Sequence, residues 1–422
     1  MNILLLEDQS WKSFQPLTLL RPVFELLGGH RSIRQRCLEV LKPQQWGVKI
    51  RPELAEVYKQ EQPSAHVNSL DGLSNEPVLC IHGQFWGNPL DLAQLQTDEV
   101  AICDQTPVAW WLSPEQIPQI DIHNPSLTSG FASIASQKKP VAVQGRVAQY
   151  AWDLILNNGD LIELDAALNQ QTPLPVPDHV HVVGPTEKLF IDPTASIEPC
   201  VVINTTGGSV TIGPNAQIQA FTRIEGPAYI GAHTQVFRGN LREQTSLGPV
   251  CRVGGEVEGS ILHGYANTYH DGFLGHSYVC PWVNLGALTT NSDLKNDYSD
   301  VKMIIAGDAV NSGSKKMGCL LGDHTKTAIG SLFNTGTTVG VMSMILPGGS
   351  LPPKHIPSFC RIWNGVLDDQ VDLESGLQVA ETAMGRRNCQ LTEEMKDLLR
   401  FTVAQTEIER INALKREQAR RS

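Results

Sequence analysis

Between residues 190 and 351, aliphatic residues return every six positions. Ile212, Ile218, Ile224, Ile230 and Val236 stand at consecutive steps, and Ile191, Ile197 and Ile203 form an earlier run. Leu247 and Val253, then Phe273, Val279 and Leu285, then Val339, Ile345 and Leu351 continue the pattern. Glycine often follows, as at Gly213, Gly231, Gly248, Gly254, Gly286 and Gly340. A helix repeats every 3.6 residues and a strand every 2, so neither produces this spacing. A left-handed parallel β-helix built on hexapeptide repeats does, with each aliphatic side chain pointing into a narrow triangular core. Small residues then permit the tight corners.

The flanks have a different texture. Residues 1 to about 175 interleave strand-like runs, ILLL (3–6) and PVLCI (77–81), with helix-like runs, SIRQRCLEVL (32–41) and AWDLILNNGDLIELDAAL (151–168). That order predicts an α/β domain with a largely parallel sheet. The proline-rich QQTPLPVPDHV (170–180) reads as a linker. The polar end, LTEEMKDLLRFTVAQTEIERINALKREQARRS, predicts a helical tail, although Thr392 lacks the acidic partner of a capping box. The expected domains are 1–175, 176–365 and 366–422.

Bulk properties exclude some functions. The net charge of −11 argues against a nucleic-acid binder. The opening MNILLLEDQ is short for a signal-peptide core, and no apolar run is long enough to cross a membrane. Nine cysteines without a CxxC pair suit reduced thiols, and a cytoplasmic location is expected.

The segment EVEGSILHGYANTYHDGFLGHSYVCPWVNLGA (256–287) resembles the acetyltransferase half of the bacterial bifunctional N-acetylglucosamine-1-phosphate uridyltransferase/glucosamine-1-phosphate acetyltransferase family. In that family an E-V-K-x-S pattern is followed ten residues later by the catalytic histidine, and then by N-I-G-A-G-T. Here Ser260 leads to His270 and on to Asn284, Leu285, Gly286 and Ala287 without a gap. Residues 291–304 and 322–340 resemble a divergent branch described as sugar nucleotidyltransferases.

The resemblance implies that His270 is the general base for acetyl transfer and that the Ala287 backbone faces acetyl-CoA, the co-substrate. Arg242 and Asn291 are the implied acceptor or sugar-phosphate contacts, and neighbouring β-helices in a homotrimer would frame the CoA site. An imidazole near neutral pKa suits removal of a proton from an attacking amine. One departure stands out: Glu258 replaces the family lysine that contacts the sugar phosphate, and a carboxylate there repels a phosphate. Arg238, Arg252, His324 and Lys326 are further basic candidates.

The N-terminal half is similar to sugar-nucleotide pyrophosphorylases, in which L-A-A-G-x-G-T-R-x-x-P-L-T precedes R-P-K. Pro16, Leu17, Thr18, Arg21, Pro22 and Gly28 fall in place, but Gln9 and Trp11 stand where glycines should cradle phosphate. Gly87-Asn88-Pro89-Leu90 replaces G-D-x-P-L, without its magnesium-binding aspartate. Lys12 and Arg21 remain candidates for binding nucleotide or sugar phosphate, and Asp8 for Mg2+ in nucleotidyl transfer.

The resemblance implies a sugar-nucleotide enzyme acting on small molecules: a sugar 1-phosphate, an NTP such as UTP, and acetyl-CoA. Its steps would be those leading to UDP-N-acetylglucosamine. Two alternatives stay open. One is a single-function enzyme, either a nucleotidyltransferase such as a glucose-1-phosphate thymidylyltransferase or an acyltransferase, with the other domain inert. The other is a non-catalytic sugar-nucleotide sensor.

Overall fold

The computed structural model describes residues 1–73, 75–117, 122, 133–169, 175–349 and 351–421, except the side chains of 420 and 421. The chain divides into two compact units. One comprises Met1–Phe14, Leu20–Leu26 and Arg31–Tyr150; the other comprises Gln15–Leu19, Leu27–His30 and Ala151–Ser422.

The first unit is an α/β sheet. Asn2–Leu6 lies between Trp46–Lys49 and Val78–His82 and is parallel to both. His66–Val67 extends the parallel edge, while Thr106–Leu112 joins antiparallel on the other side. The expected strands at 3–6 and 77–81 are both present. All five residues of Asn2–Leu6 are buried, as a strand covered on both faces requires. The helix expected at 32–41 runs from Ile33 to Leu41, and Ser32 and Gln35 close a reciprocal capping box at its start.

The second unit is dominated by stacked parallel strands in three faces, the expected left-handed hexapeptide β-helix. Register runs unbroken along one face through Ile191, Ile212, Ile230, Leu247, Leu262, Val279, Leu321, Val339 and Ile356. A second column runs through Ile203, Ile224, Leu241, Val257 and Leu274. A third begins Ile197, Ile218, Val236, Val253 and Thr268. Two expected core positions move. Phe273 is only half-buried because Leu274 takes the inward place in its rung, and Leu351 is 49% exposed beyond the last inward step. An antiparallel hairpin, Lys302–Ile305 with Asp308–Asn311, interrupts the repeat between rungs.

The stretch expected to be helical at 151–168 forms two helices, Ala151–Leu156 and Asn158–Asn169. Residues 170–174 of the expected linker lie outside the described residues. The tail forms three helices: Leu373–Gly385, Glu393–Gln405 and Glu407–Arg421. Thr392 caps the second unaided, its side chain accepting from the Met395 amide at 3.3 Å. Among the described residues, which include all nine cysteines, no disulfide is formed. Among the described residues no helix is long and apolar enough to cross a membrane.

One fully buried phenol ties the Leu27–His30 segment to the β-helix wall. Tyr278 Oη accepts from the Leu27 amide at 2.8 Å, donates to the Leu27 carbonyl at 3.3 Å and lies 2.9 Å from His263 Nδ1. Replacing Tyr278 with Phe removes the hydroxyl from the buried amide and carbonyl of Leu27. The expected loss is about 1–3 kcal/mol, read as a lower thermal midpoint with unchanged far-UV circular dichroism. A variant melting with the wild type would refute this account.

Candidate functional site

His270 sits at a corner of the β-helix, between Asn267–Thr268 and Phe273–Gly275. Its ring is exposed and meets the edge of Tyr269, with centroids 4.7 Å apart, and Tyr269 packs in turn on Phe237. In the rung below, Gly255 turns the chain at φ +68; a Cβ there would lie 2.6 Å from the Gly272 carbonyl oxygen, so the corner beneath His270 needs glycine. Phe221, Leu288 and Ile329 project at the same corner of other rungs, 74%, 61% and 74% exposed. Ala287 is half-buried, and its carbonyl accepts from the Gly330 amide at 2.8 Å.

Arg242 does not face an open cationic patch. Its guanidinium lies within 3.5–3.8 Å of four carboxylates: Glu225, Glu243, Glu256 and Glu258. Lys316, from the loop beyond the inserted hairpin, pairs with Glu258 at 2.8 Å. Acidic groups outnumber cations here, so the phosphate-binding role expected of Arg242 meets a repulsive surrounding field. Asn291 departs further from expectation. It is 3% exposed, opposite Phe333 in register, and its amide is bonded to both the N–H and the carbonyl of Gly275. It braces the rungs from an inward position, and a side chain so engaged offers nothing to a substrate.

The structure also brings together a pair that the sequence reading did not single out. His276 Nδ1 lies 2.7 Å from Asp293 Oδ2, both half-buried and beside Glu258. Burial raises the Asp293 carboxyl, but the hydrogen bond and charge of His276, with Lys316, outweigh it and hold Asp293 below the ordinary range. A histidine with one nitrogen oriented by a carboxylate is the arrangement of a general base. The partners are 17 residues apart, one coil of the repeat, which is the signal that could have found them. Glu258, His276 and Asp293 each offer one ligand atom within 4.8 Å of one another and could hold a metal ion.

In the first unit, Asp8 lies two residues past the carboxyl end of the strand Asn2–Leu6, the end at which open α/β sheets bind ligands. It accepts from the Ser10 hydroxyl, from the Ser10 amide at 2.9 Å and from His82 at 3.3 Å. Burial opposes its ionisation, but His82 and Ser10 prevail and hold the carboxyl at about 2. Ser10 Oγ also lies 2.6 Å from the Gln84 side-chain amide. Lys12 is exposed; Arg21 is half-buried, and its carbonyl accepts from Arg51 at 3.4 Å. In place of a glycine loop stands a 3-10 turn, Gln9–Phe14, with Trp11 buried beneath the Arg51 guanidinium at 3.8 Å. Asn88, in place of the metal-binding aspartate, caps a short helix by accepting from the Leu90 amide at 3.0 Å.

Residues 3–172 match the family described as sugar nucleotidyl transferase, and a hexapeptide β-helix follows. The resemblance to bifunctional sugar-phosphate nucleotidyl- and acetyltransferases is borne out by curated relatives. A bifunctional sugar-1-phosphate nucleotidylyltransferase/acetyltransferase of Sulfurisphaera tokodaii is 33% identical over 110 residues, which are 26% of this chain and 27% of that protein. The bifunctional protein GlmU of Methanococcus maripaludis is 31% identical over 118 residues, 28% of this chain and 26% of the relative. The chain thus spans about a quarter of the length of these relatives. Among solved structures, the UDP-N-acetylglucosamine acyltransferase of Francisella novicida is 16% identical, covering 51% of this chain and 76% of its own at a TM-score of 0.30. The Arabidopsis enzyme of the same name is 12% identical, covering 58% and 94% at a TM-score of 0.27.

A buried carboxyl beside Asp8 yields a pH prediction. Burial pushes Glu7 up to about 7, against the pull of Arg51 at 2.9 Å and the amides of Arg51 and Val23. The native carboxyl therefore holds its proton more tightly than the unfolded chain does. Its contribution to stability is full below pH 4.5 and is lost as pH rises through about 7. Relative to Glu7→Gln, the wild type should lose stability across that window, measured as urea midpoints at several pH values. A pH-independent difference between the two would contradict the assignment.

Proposed function

We propose that the protein is a two-domain transferase of sugar-phosphate metabolism. Residues 1–175 would transfer a nucleotidyl group from an NTP such as UTP to a sugar 1-phosphate. Residues 176–365 would acetylate the amine of an amino sugar from acetyl-CoA. The observation that carries this reading is one chain joining the nucleotidyl transferase match at 3–172 to a β-helix with an exposed histidine at a corner.

In the acetyl step the amine nitrogen attacks the thioester carbonyl and the C–S bond breaks. His270 takes the proton released from nitrogen, and the CoA thiolate leaves. The apolar residues at its corner, Phe221, Leu288 and Ile329, support a homotrimer in which CoA lies between neighbouring β-helices near Ala287. The carboxylates around Arg242 favour a cationic amine near Glu258 over a phosphate. In the nucleotidyl step the sugar phosphate attacks the α-phosphorus of the NTP and pyrophosphate leaves. Asp8, ionised at neutral pH, would supply a carboxylate to Mg2+, which neutralises phosphate charge when bound. Lys12 and Arg21 would neutralise charge at the same strand end.

Two observations favour variants of this reading. Trp11 packed under Arg51 closes the place of a glycine cradle, which favours an acyltransferase whose first domain is inert. The His276–Asp293 pair favours His276 as the base.

The test separates these readings. Free CoA is measured from acetyl-CoA with glucosamine 1-phosphate and with other amino sugars, for wild type, His270→Ala and His276→Ala. Pyrophosphate is measured from UTP or dTTP with sugar 1-phosphates and Mg2+. His270→Ala is expected to lower CoA release by about 100-fold or more, in the range for loss of a general base. Full activity in His270→Ala with loss in His276→Ala would move the base to His276. No pyrophosphate from any pair would mark the first domain as inert.

A further inference from the structure

The second unit contains a cavity of about 880 Å³ whose described lining lacks His270, His276, Ala287, Arg242 and Asn291 but includes Arg252 and Lys326, two of the further basic candidates of the sequence. One wall is a single face of the β-helix. Arg252, Asn267, Asn284 and Lys326 stand in register on successive rungs, and Asn267 donates to Asn284 at 2.7 Å. The opposite wall is the helix Leu373–Gly385, followed by Arg386 and Arg387. That helix is seated by its own packing: Leu377 and Ala380 are buried, and a Cβ at Gly376 would meet Met342 at 2.9 Å.

Two features of the lining point to a ligand. First, among the described residues the four charged side chains of the lining, Arg252, Lys326, Arg386 and Arg387, are all cations, and no acidic residue accompanies them. This occurs in a chain of net charge −11. Among the described residues none of the four pairs with a carboxylate, so the repulsion among them is left for an anion to relieve. Burial, together with the like charges of Arg252 and Arg386, lowers the pKa of Arg387, as expected for cations held together without a counter-charge. Burial likewise draws Lys326 down to about 8, while its ammonium donates to the Trp282 carbonyl at 2.5 Å. Second, the adjoining corner carries a stacked aromatic pair. Tyr265 and Trp282 lie 4.4 Å apart at 24°, and His324 continues the stack 6.1 Å beyond Trp282. Stacked rings offer a planar base a face to lie on.

We propose that this cavity binds the nucleoside diphosphate moiety of a small molecule, with the phosphates against the four cations and the base against Tyr265 and Trp282. The volume lies in the usual range for a small-molecule site, about 300–1,000 Å³. The wall formed by the chain's own helix distinguishes it from a CoA crevice between neighbouring subunits. The same moiety occurs in free nucleotides and in CoA, so the test must separate the two sources.

Isothermal titration with ADP, pyrophosphate, adenosine and CoA would be run on the full-length protein and on the double variant Arg386→Ala/Arg387→Ala. Both arginines lie beyond the end of the helix, and a matching thermal midpoint would show that the variant is folded. ADP is expected to bind the wild type at least tenfold more tightly than either pyrophosphate or adenosine, and at least tenfold more tightly than it binds the double variant. Binding that grows stronger as salt is lowered belongs to the same expectation. CoA binding more tightly than ADP would assign the moiety to CoA; ADP binding as tightly or more tightly would assign it to a free nucleotide. ADP affinity unchanged in the double variant would place binding elsewhere in the chain and overturn the proposal. So would pyrophosphate or adenosine binding as tightly as ADP.

Discussion

The inward stacking of aliphatic side chains in three columns is the interaction on which the rest of this structure depends. Most rungs place one aliphatic residue inward on each face, as in the column from Ile212 to Ile356. A single rung cannot form a core; neighbours stacked above and below create one. Because register is held rung to rung, side chains far apart in sequence become fixed neighbours on the outer faces. His276 and Asp293 meet this way, one coil apart, as do Arg252, Asn267, Asn284 and Lys326. The sites are properties of the stack rather than of any local motif.

The same constraint explains where polar groups enter the core. Asn291 takes an inward position and is tolerated because its amide satisfies both backbone groups of Gly275. Tyr278 is fully buried, with its hydroxyl engaged by Leu27 and His263. In the first unit Glu7 is the counterpart, a carboxyl pressed between Arg51 and two backbone amides. These polar anchors locate irregular segments against regular ones, which aliphatic packing does less specifically.

The electrostatics divide the second unit into regions of opposite character. Around Arg242 and Glu258 carboxylates dominate, whereas between the β-helix and the helix Leu373–Gly385 cations stand without acidic partners. A chain with an overall acidic balance therefore presents one surface suited to a cationic group and one cavity suited to an anion. Net charge alone would suggest only the first.

Much of the fold was legible in the sequence because its signals are local. A six-residue period, a helix-like run at 32–41, and strand-like runs at 3–6 and 77–81 all act within a few residues of themselves. What the sequence by itself determined was therefore the repeat, its aliphatic interior and the order of its elements. Tertiary structure alone decided that Arg242 faces four carboxylates, that Asn291 turns inward, that Trp11 fills the place of a glycine cradle and that His276 finds Asp293. The reason is physical: a period specifies which residues are buried along the chain, but the partners of a side chain across rungs depend on register. Insertions such as the hairpin at 302–311 change that register without leaving a mark on the local pattern.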